Sequence, residues 1–260
     1  MSFAIQCLLA FVVGNLVSSV YVSILYHRGL THNAVRLAPI TRWIVMNTGF
    51  WVTGLDPKTW VTMHRLHHQH ADTEGDPHSP TQHGLLGIVW TTIASYLQIL
   101  YRLTGNDPTL HEVAPDVPWN IPPRALRFTW FLPPVAWGLG AYALGSLTGL
   151  WGVALGLVLS CDFVVKSWLV NALGHARGYR TYDTDDDSTN NRLAAFLVVG
   201  EGYQNNHHRH PRRANFAHQP GELDSGFLLC LAMERLGLLS LDAAPSVVQN
   251  NVSDAHPATR

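Results

Sequence analysis

A chain of 260 residues with 15 histidines, only 13% charged residues and a formal net charge of -1 fits poorly with an ordinary soluble domain, in which about a quarter of residues are charged. It carries no basic block to meet nucleic acid, and Cys7, Cys161 and Cys230 are too scattered for a disulfide framework or a thiolate metal site. No linker divides it, so one domain is expected over 1–241, followed by a polar, aperiodic and disordered tail over 242–260.

Residues 1–26 contain no charge, and 3–26 is long enough to cross the roughly 30 Å of a hydrocarbon core as one helix. A cleaved leader would need a basic start and a small-residue cleavage site, whereas this segment runs straight into His27. Arg28, Arg36 and Arg42 follow it and place that end on the cytoplasmic side, in a bacterial inner membrane. Segments 40–55 and 84–103 are apolar but lie between cytoplasmic features, so they are expected to pack along the membrane face. A second uncharged stretch, 128–161, reads as a helical hairpin that turns near 146–150 and continues to about 173. Asp162 and Lys166, four apart within it, are expected to pair. Because a hairpin returns to its starting side, every histidine cluster would share one face. The acidic run 183–187 reads as a solvated cap leading through Ser188 into a helix over 190–202.

Three histidine clusters stand beside these apolar stretches: His27 with His32, His64 with His67 and His68, and His207 with His208. The spacing i, i+3, i+4 puts three imidazoles on one helical face, more than one metal takes easily but suitable for two metals that share them. Glu201, Gln204, His207 and His208 again trace one helical face. There is no H-E-x-x-H zinc motif, and five glutamates without Glu-x-x-His repeats do not make a carboxylate di-iron bundle. A nearly all-imidazole two-metal site suits iron better than magnesium, calcium or manganese. A bis-histidine haem electron carrier needs only two facing histidines and leaves His64, His67 and His68 unexplained. A metal transporter would spread its histidines along a path.

The motifs H-R-G-L-T-H (27–32), H-R-L-H-H with D-T-E-G-D-P-H (64–78), G-E-G-Y-Q-N-N-H-H-R-H-P (200–211) and W-L-V-N-A-L-G-H-A-R-G-Y-R-T-Y-D (168–183) resemble those of membrane fatty acid desaturases, in the stearoyl-CoA desaturase-like branch. The resemblance spans about 20–240. It implies an all-α integral membrane helical bundle with a cytoplasmic histidine-rich di-iron cap, and an enzyme that inserts a cis double bond into a saturated acyl chain of an acyl-CoA or acyl-lipid. By motif position it implies His27, His32, His64, His67, His68, His175, His207 and His208 as ligands of two irons (Fe2+), with Asn171 holding a metal-bound water. O2 is the co-substrate and two electrons come from an external donor, a ferredoxin or a b-type cytochrome with its reductase, since the chain has no flavin or nicotinamide fingerprint. A di-iron lipid or hydrocarbon hydroxylase is the alternative enzyme.

The aromatic side chains Trp51, Trp60 and Trp168 are candidates to line a substrate tunnel or to sit as interfacial aromatics. Three positions depart from the family pattern. Gln204 occupies the usual place of the first histidine of the third box and would be a weaker ligand, with His210 as a possible substitute. One apolar segment precedes the first box instead of two. Thr62 and Met63 stand where acyl-CoA enzymes often carry an Arg-Asp pair.

Overall fold

The computed structural model describes residues 1–161 and 163–241. The tail 242–260 and the expected pairing of Asp162 with Lys166 lie outside the described residues. The described chain is mostly helical, and its only sheet is a two-residue pairing of β1 (Arg36–Leu37) with β2 (Leu239–Ser240).

Local chemistry sets many of the helix starts. Asp56, Ser79 and Asp107 each accept a hydrogen bond from a backbone N–H two or three residues on, and a proline follows each, so α3 (Pro57–His70), α4 (Pro80–Thr104) and α5 (Pro108–Val113) begin there. The first helix, α1 (Phe3–Ser19), passes without interruption into a π-helix over Val20–Thr31. The π form decides where the first two histidines point. In an α-helix residues five apart are about 140° apart around the axis, whereas i→i+5 bonding brings them nearly into line. The His32 N–H donates to the His27 carbonyl at 3.1 Å, and the two imidazole centroids are 4.9 Å apart.

After α2 (Pro39–Thr53), α5 and α6 (Pro123–Thr129), the expected hairpin is present as α7 (Leu132–Thr148) and α8 (Trp151–Leu159). It turns at Gly149, whose φ of 73° favours glycine. The second arm is not one helix to 173 but stops at Leu159 and resumes as α9 (Phe163–Ser167), a π turn (Trp168–Ala172) and α10 (Leu173–Ala176). A Cβ at Gly152 or Gly156 would run into the backbone of Phe3 or Cys7, so α8 lies closely against α1.

Segment 84–103 belongs to α4, whose helical path is interrupted at Gly84 (φ 70°); α4 and the helix Phe3–Thr31 are each long and apolar enough to cross a membrane. One sequence expectation needs correction. The expected helix over 190–202 is confined to α11 (Arg192–Leu197), because the Asn191 side chain, not Ser188, caps it by accepting from the Ala194 N–H. The last helices are α12 (Gln204–Arg209) and α13 (Ser225–Arg235).

Ile24, Tyr26, Leu30, Val61, Leu100 and Leu126 are buried in the main core beneath the histidines, each such side chain contributing roughly 1.5–3 kcal/mol. By contrast, Leu8, Val12, Leu16, Leu139, Tyr142 and Leu147 on α1 and α7 are exposed, a large apolar surface for a soluble monomer.

Candidate metal centre

The structure brings all eight sequence-predicted histidines together, in two clusters. His27 and His32 come from the π-helix and its end, His64 and His68 from α3, and His207 from α12; a ligand atom of each lies within 4.8 Å of the others. His67, His175 and His208 form the second cluster. The neighbours His67/His68 and His207/His208 are each divided between the clusters, as a step of about 100° per residue requires.

The ring nitrogens converge at ligand spacing. His27 Nε2 lies 2.9 Å from His207 Nε2, which lies 3.0 Å from His68 Nε2, which lies 3.1 Å from His64 Nε2, which lies 3.1 Å from His32 Nε2. In the second cluster His67 Nε2 and His208 Nε2 are 3.3 Å apart. Adjacent ligands on a metal with bonds of about 2.1 Å are about 3 Å apart. Such crowding leaves no plane for a porphyrin between facing imidazoles.

Carboxylates fix which nitrogen points inward. His67 Nδ1 donates to Asp76 at 2.9 Å, His175 Nδ1 to Asp72 at 2.7 Å, His208 Nδ1 to Asp186 at 2.7 Å and His27 Nδ1 to Glu201 at 2.6 Å. With their protons at Nδ1, His67 and His208 aim two Nε2 lone pairs at each other. That arrangement is repulsive without a cation between them, so the donor set fits a metal. Burial, reinforced by neighbouring imidazoles, holds His64, His68 and His207 well below the ordinary histidine pKa, keeping them neutral. Burial likewise lowers His208 to about 4, against the opposing bond to Asp186. Burial raises the pKa of Asp72, but hydrogen bonds led by that from His175 bring it down to about 2.

Sequence reasoning missed these orienting carboxylates. Asp186 belongs to the run read as a solvated cap; it is instead bonded to His208 and Ser188. Glu201 lies ahead of α12, not on its face, yet reaches His27. Arg28, read from the sequence only as a marker of the cytoplasmic side, is fully buried; it pairs with Glu201 at 2.7 Å and Asp224 at 2.9 Å and lies over the Phe216 ring. His78 was also missed. It is buried beside His67, with ring centroids 4.6 Å apart.

The remaining candidates divide. Gln204 is buried, and its amide donates to the Glu201 carbonyl at 2.6 Å. Asn171 donates to Ser167 Oγ at 2.9 Å, and both line a largely apolar cavity of about 90 Å³ below the histidines. Trp60 lines the same cavity and stacks on His64 at 5.1 Å. Trp51 and Trp168 are not among the described residues lining it: Trp51 is 45% exposed, and Trp168 Nε1 donates to the Leu85 carbonyl. His210 packs against Tyr182 and His218, away from both clusters. Val199, in the cavity wall, holds φ at 46°, a strained value for a β-branched residue.

Residues 3–220 match the sequence profile of the family described as fatty acid desaturase. The chain belongs to that family. It is 32% identical to an acyl-CoA 5-desaturase of Anemone leveillei, over 86% of this chain and 67% of the relative. It is 30% identical to an sn-1 stearoyl-lipid 9-desaturase of Anabaena variabilis, over 82% and 75%, and 29% identical to a chloroplastic palmitoyl-monogalactosyldiacylglycerol delta-7 desaturase of Arabidopsis thaliana, over 88% and 59%. This desaturase-family chain therefore spans about three fifths to three quarters of the length of these relatives.

Proposed function

We propose that this chain is a fatty acyl desaturase that inserts a cis double bond into a saturated chain carried as an acyl-CoA or an acyl-lipid. The observation that carries the reading is the convergence of eight imidazoles at ligand spacing above an apolar cavity, in a desaturase-family chain. His27, His32, His64, His68 and His207 would hold one iron, and His67, His175 and His208 the other, with Asn171 and Gln204 at the margin. Iron, when bound, supplies activation of O2 strong enough to break an unactivated C–H bond.

The protein residues supply position and dryness. Val22, Leu55, Met63 and Val170 offer the cavity, of about 90 Å³, an apolar wall. Trp60, flat against His64, brings that wall up to the first cluster. Holding two neighbouring methylenes in register is the main task, since the substrate offers no charge to grip there. The balance is one saturated chain, O2, two electrons and two protons giving the alkene and two waters. The electrons come from a ferredoxin or a b-type cytochrome with its reductase.

The exposed apolar faces of α1, α7 and α8 support a multi-pass membrane protein with the histidines on the cytoplasmic side. The test is fatty-acid analysis by gas chromatography with mass spectrometry in a desaturase-deficient host expressing the chain or its His67→Ala variant. A monounsaturated product that depends on His67 is expected. A hydroxylated product would make the chain a hydroxylase instead.

A further inference from the structure

The two clusters are unequal: five imidazoles in one and three in the other. Gln204 packs against Gly174, next to His175, but its amide nitrogen is committed to the Glu201 carbonyl. It adds at most one carbonyl oxygen, a harder and weaker donor than imidazole.

His78 stands at the same side of the centre. It is 3% exposed, and neither ring nitrogen has a hydrogen-bond partner. Buried polar atoms are nearly always paired, and one that is not calls for an explanation. Its place is fixed by the chain, not by its own ring: the His78 backbone N–H donates to Asp76 Oδ1, so the carboxylate that orients His67 also anchors residue 78. A ring nitrogen of His78, a ring nitrogen of His67 and an Asp76 oxygen lie within 4.8 Å of one another. Asp76 is not free to found a third cation site there. Its oxygens already take the His67 ring and the backbone N–H groups of Asp72 and His78. Of that trio only the imidazole of His78 is unspent.

His78 lies beside His67 but is not within 4.8 Å of both His175 and His208; we infer that its unbonded ring turns to become a ninth metal-site histidine, supplying the three-histidine cluster with its fourth imidazole. The inference rests on the di-iron reading above and names a residue that the histidine-box spacing does not. An imidazole without hydrogen bonds, at the top of the substrate cavity, keeps a ring nitrogen available for a metal at no cost in broken bonds.

The experiment compares iron per chain and the 57Fe Mössbauer spectrum of the full chain, of His78→Ala and of His78→Ala with Gln204→His, each purified in the same detergent. The unaltered chain is expected to hold two irons in unequal environments. His78→Ala should hold about one iron, the poorer site being emptied, with one spectral component lost. The added histidine at 204, beside the same cluster, should restore the second iron. Retention of both irons and an unchanged spectrum in His78→Ala would overturn the inference, as would a loss that Gln204→His does not reverse, since His78 would then act through packing. No iron in the unaltered chain would instead remove the di-iron reading itself.

Discussion

The two histidine clusters hold their donors in place by different means. The cluster of His27, His32, His64, His68 and His207 has number on its side, and among the described residues only His27 of the five is paired to a carboxylate. The cluster of His67, His175 and His208 has three members, and each is held by its own aspartate: Asp76, Asp72 and Asp186. A carboxylate on Nδ1 fixes the tautomer, aims Nε2 and makes the ring more basic. Orientation therefore does for the smaller cluster part of what redundancy does for the larger.

The contrast can be broken most directly by removing one ligand from each side. His208→Ala and His68→Ala should both abolish desaturation. Iron analysis should separate them: His208→Ala leaves two of the three aspartate-held imidazoles and should lose its iron outright, whereas His68→Ala leaves four of five and should retain most of both. Equal loss in the two variants would mean that the clusters do not act as separate sites.

The carboxylates sharpen the comparison at the next level. Asp76→Asn or Asp186→Asn should weaken iron binding on the order of 10- to 100-fold, seen as faster loss to a chelator with the melting temperature little changed. Glu201→Gln should do the reverse. Its histidine has four companions, but its carboxylate also faces the fully buried Arg28, and stripping a partner from a buried ion costs roughly 3–5 kcal/mol. Asp224 stays in place and keeps the loss toward the lower figure. A lower melting temperature with normal iron content is the expected signature.

How far these features could be read in the sequence follows from their range. His64, His67 and His68 are three and four apart, so helical geometry alone puts them on one face, and the hairpin turn at Gly149 was marked by glycine and apolar runs. The division of the eight histidines into five and three was not legible, because it depends on the π-helix that aligns His27 with His32 and on the approach of α12 to α3. The aspartates were hidden for a different reason. Asp186 lies 22 residues before His208 and Asp72 lies 103 before His175, and an acidic run in a polar loop looks solvated until the fold delivers a partner. The burial of Arg28 was hidden likewise: a cation just after an apolar segment fits the positive-inside pattern whether or not it is buried. Trp51 illustrates the limit for aromatics, since composition cannot tell a cavity wall from the exposed face of α2.

The smallest expected effect concerns the support beneath the shared helix α3, which serves both clusters. Arg65, between His64 and His67, donates to both oxygens of Asp116 at 2.6 and 2.9 Å, and to the Thr31 carbonyl beside His32. Burial disfavours the Asp116 carboxylate, but the Arg65 bonds outweigh it and hold its pKa below the usual value. A lowered carboxyl pKa contributes stability that is complete above the unfolded value of about 3.9 and is lost as pH falls through the folded one. Metal-free Asp116→Asn protein in detergent should therefore melt a few degrees below the unaltered chain at pH 7, for a pair contributing about 1 kcal/mol. The gap should close as the pH is taken below about 4. A gap that is constant with pH would assign the effect to the shape of the side chain at 116. The loss should fall on both clusters alike, because α3 supplies His64 and His68 to one and His67 to the other.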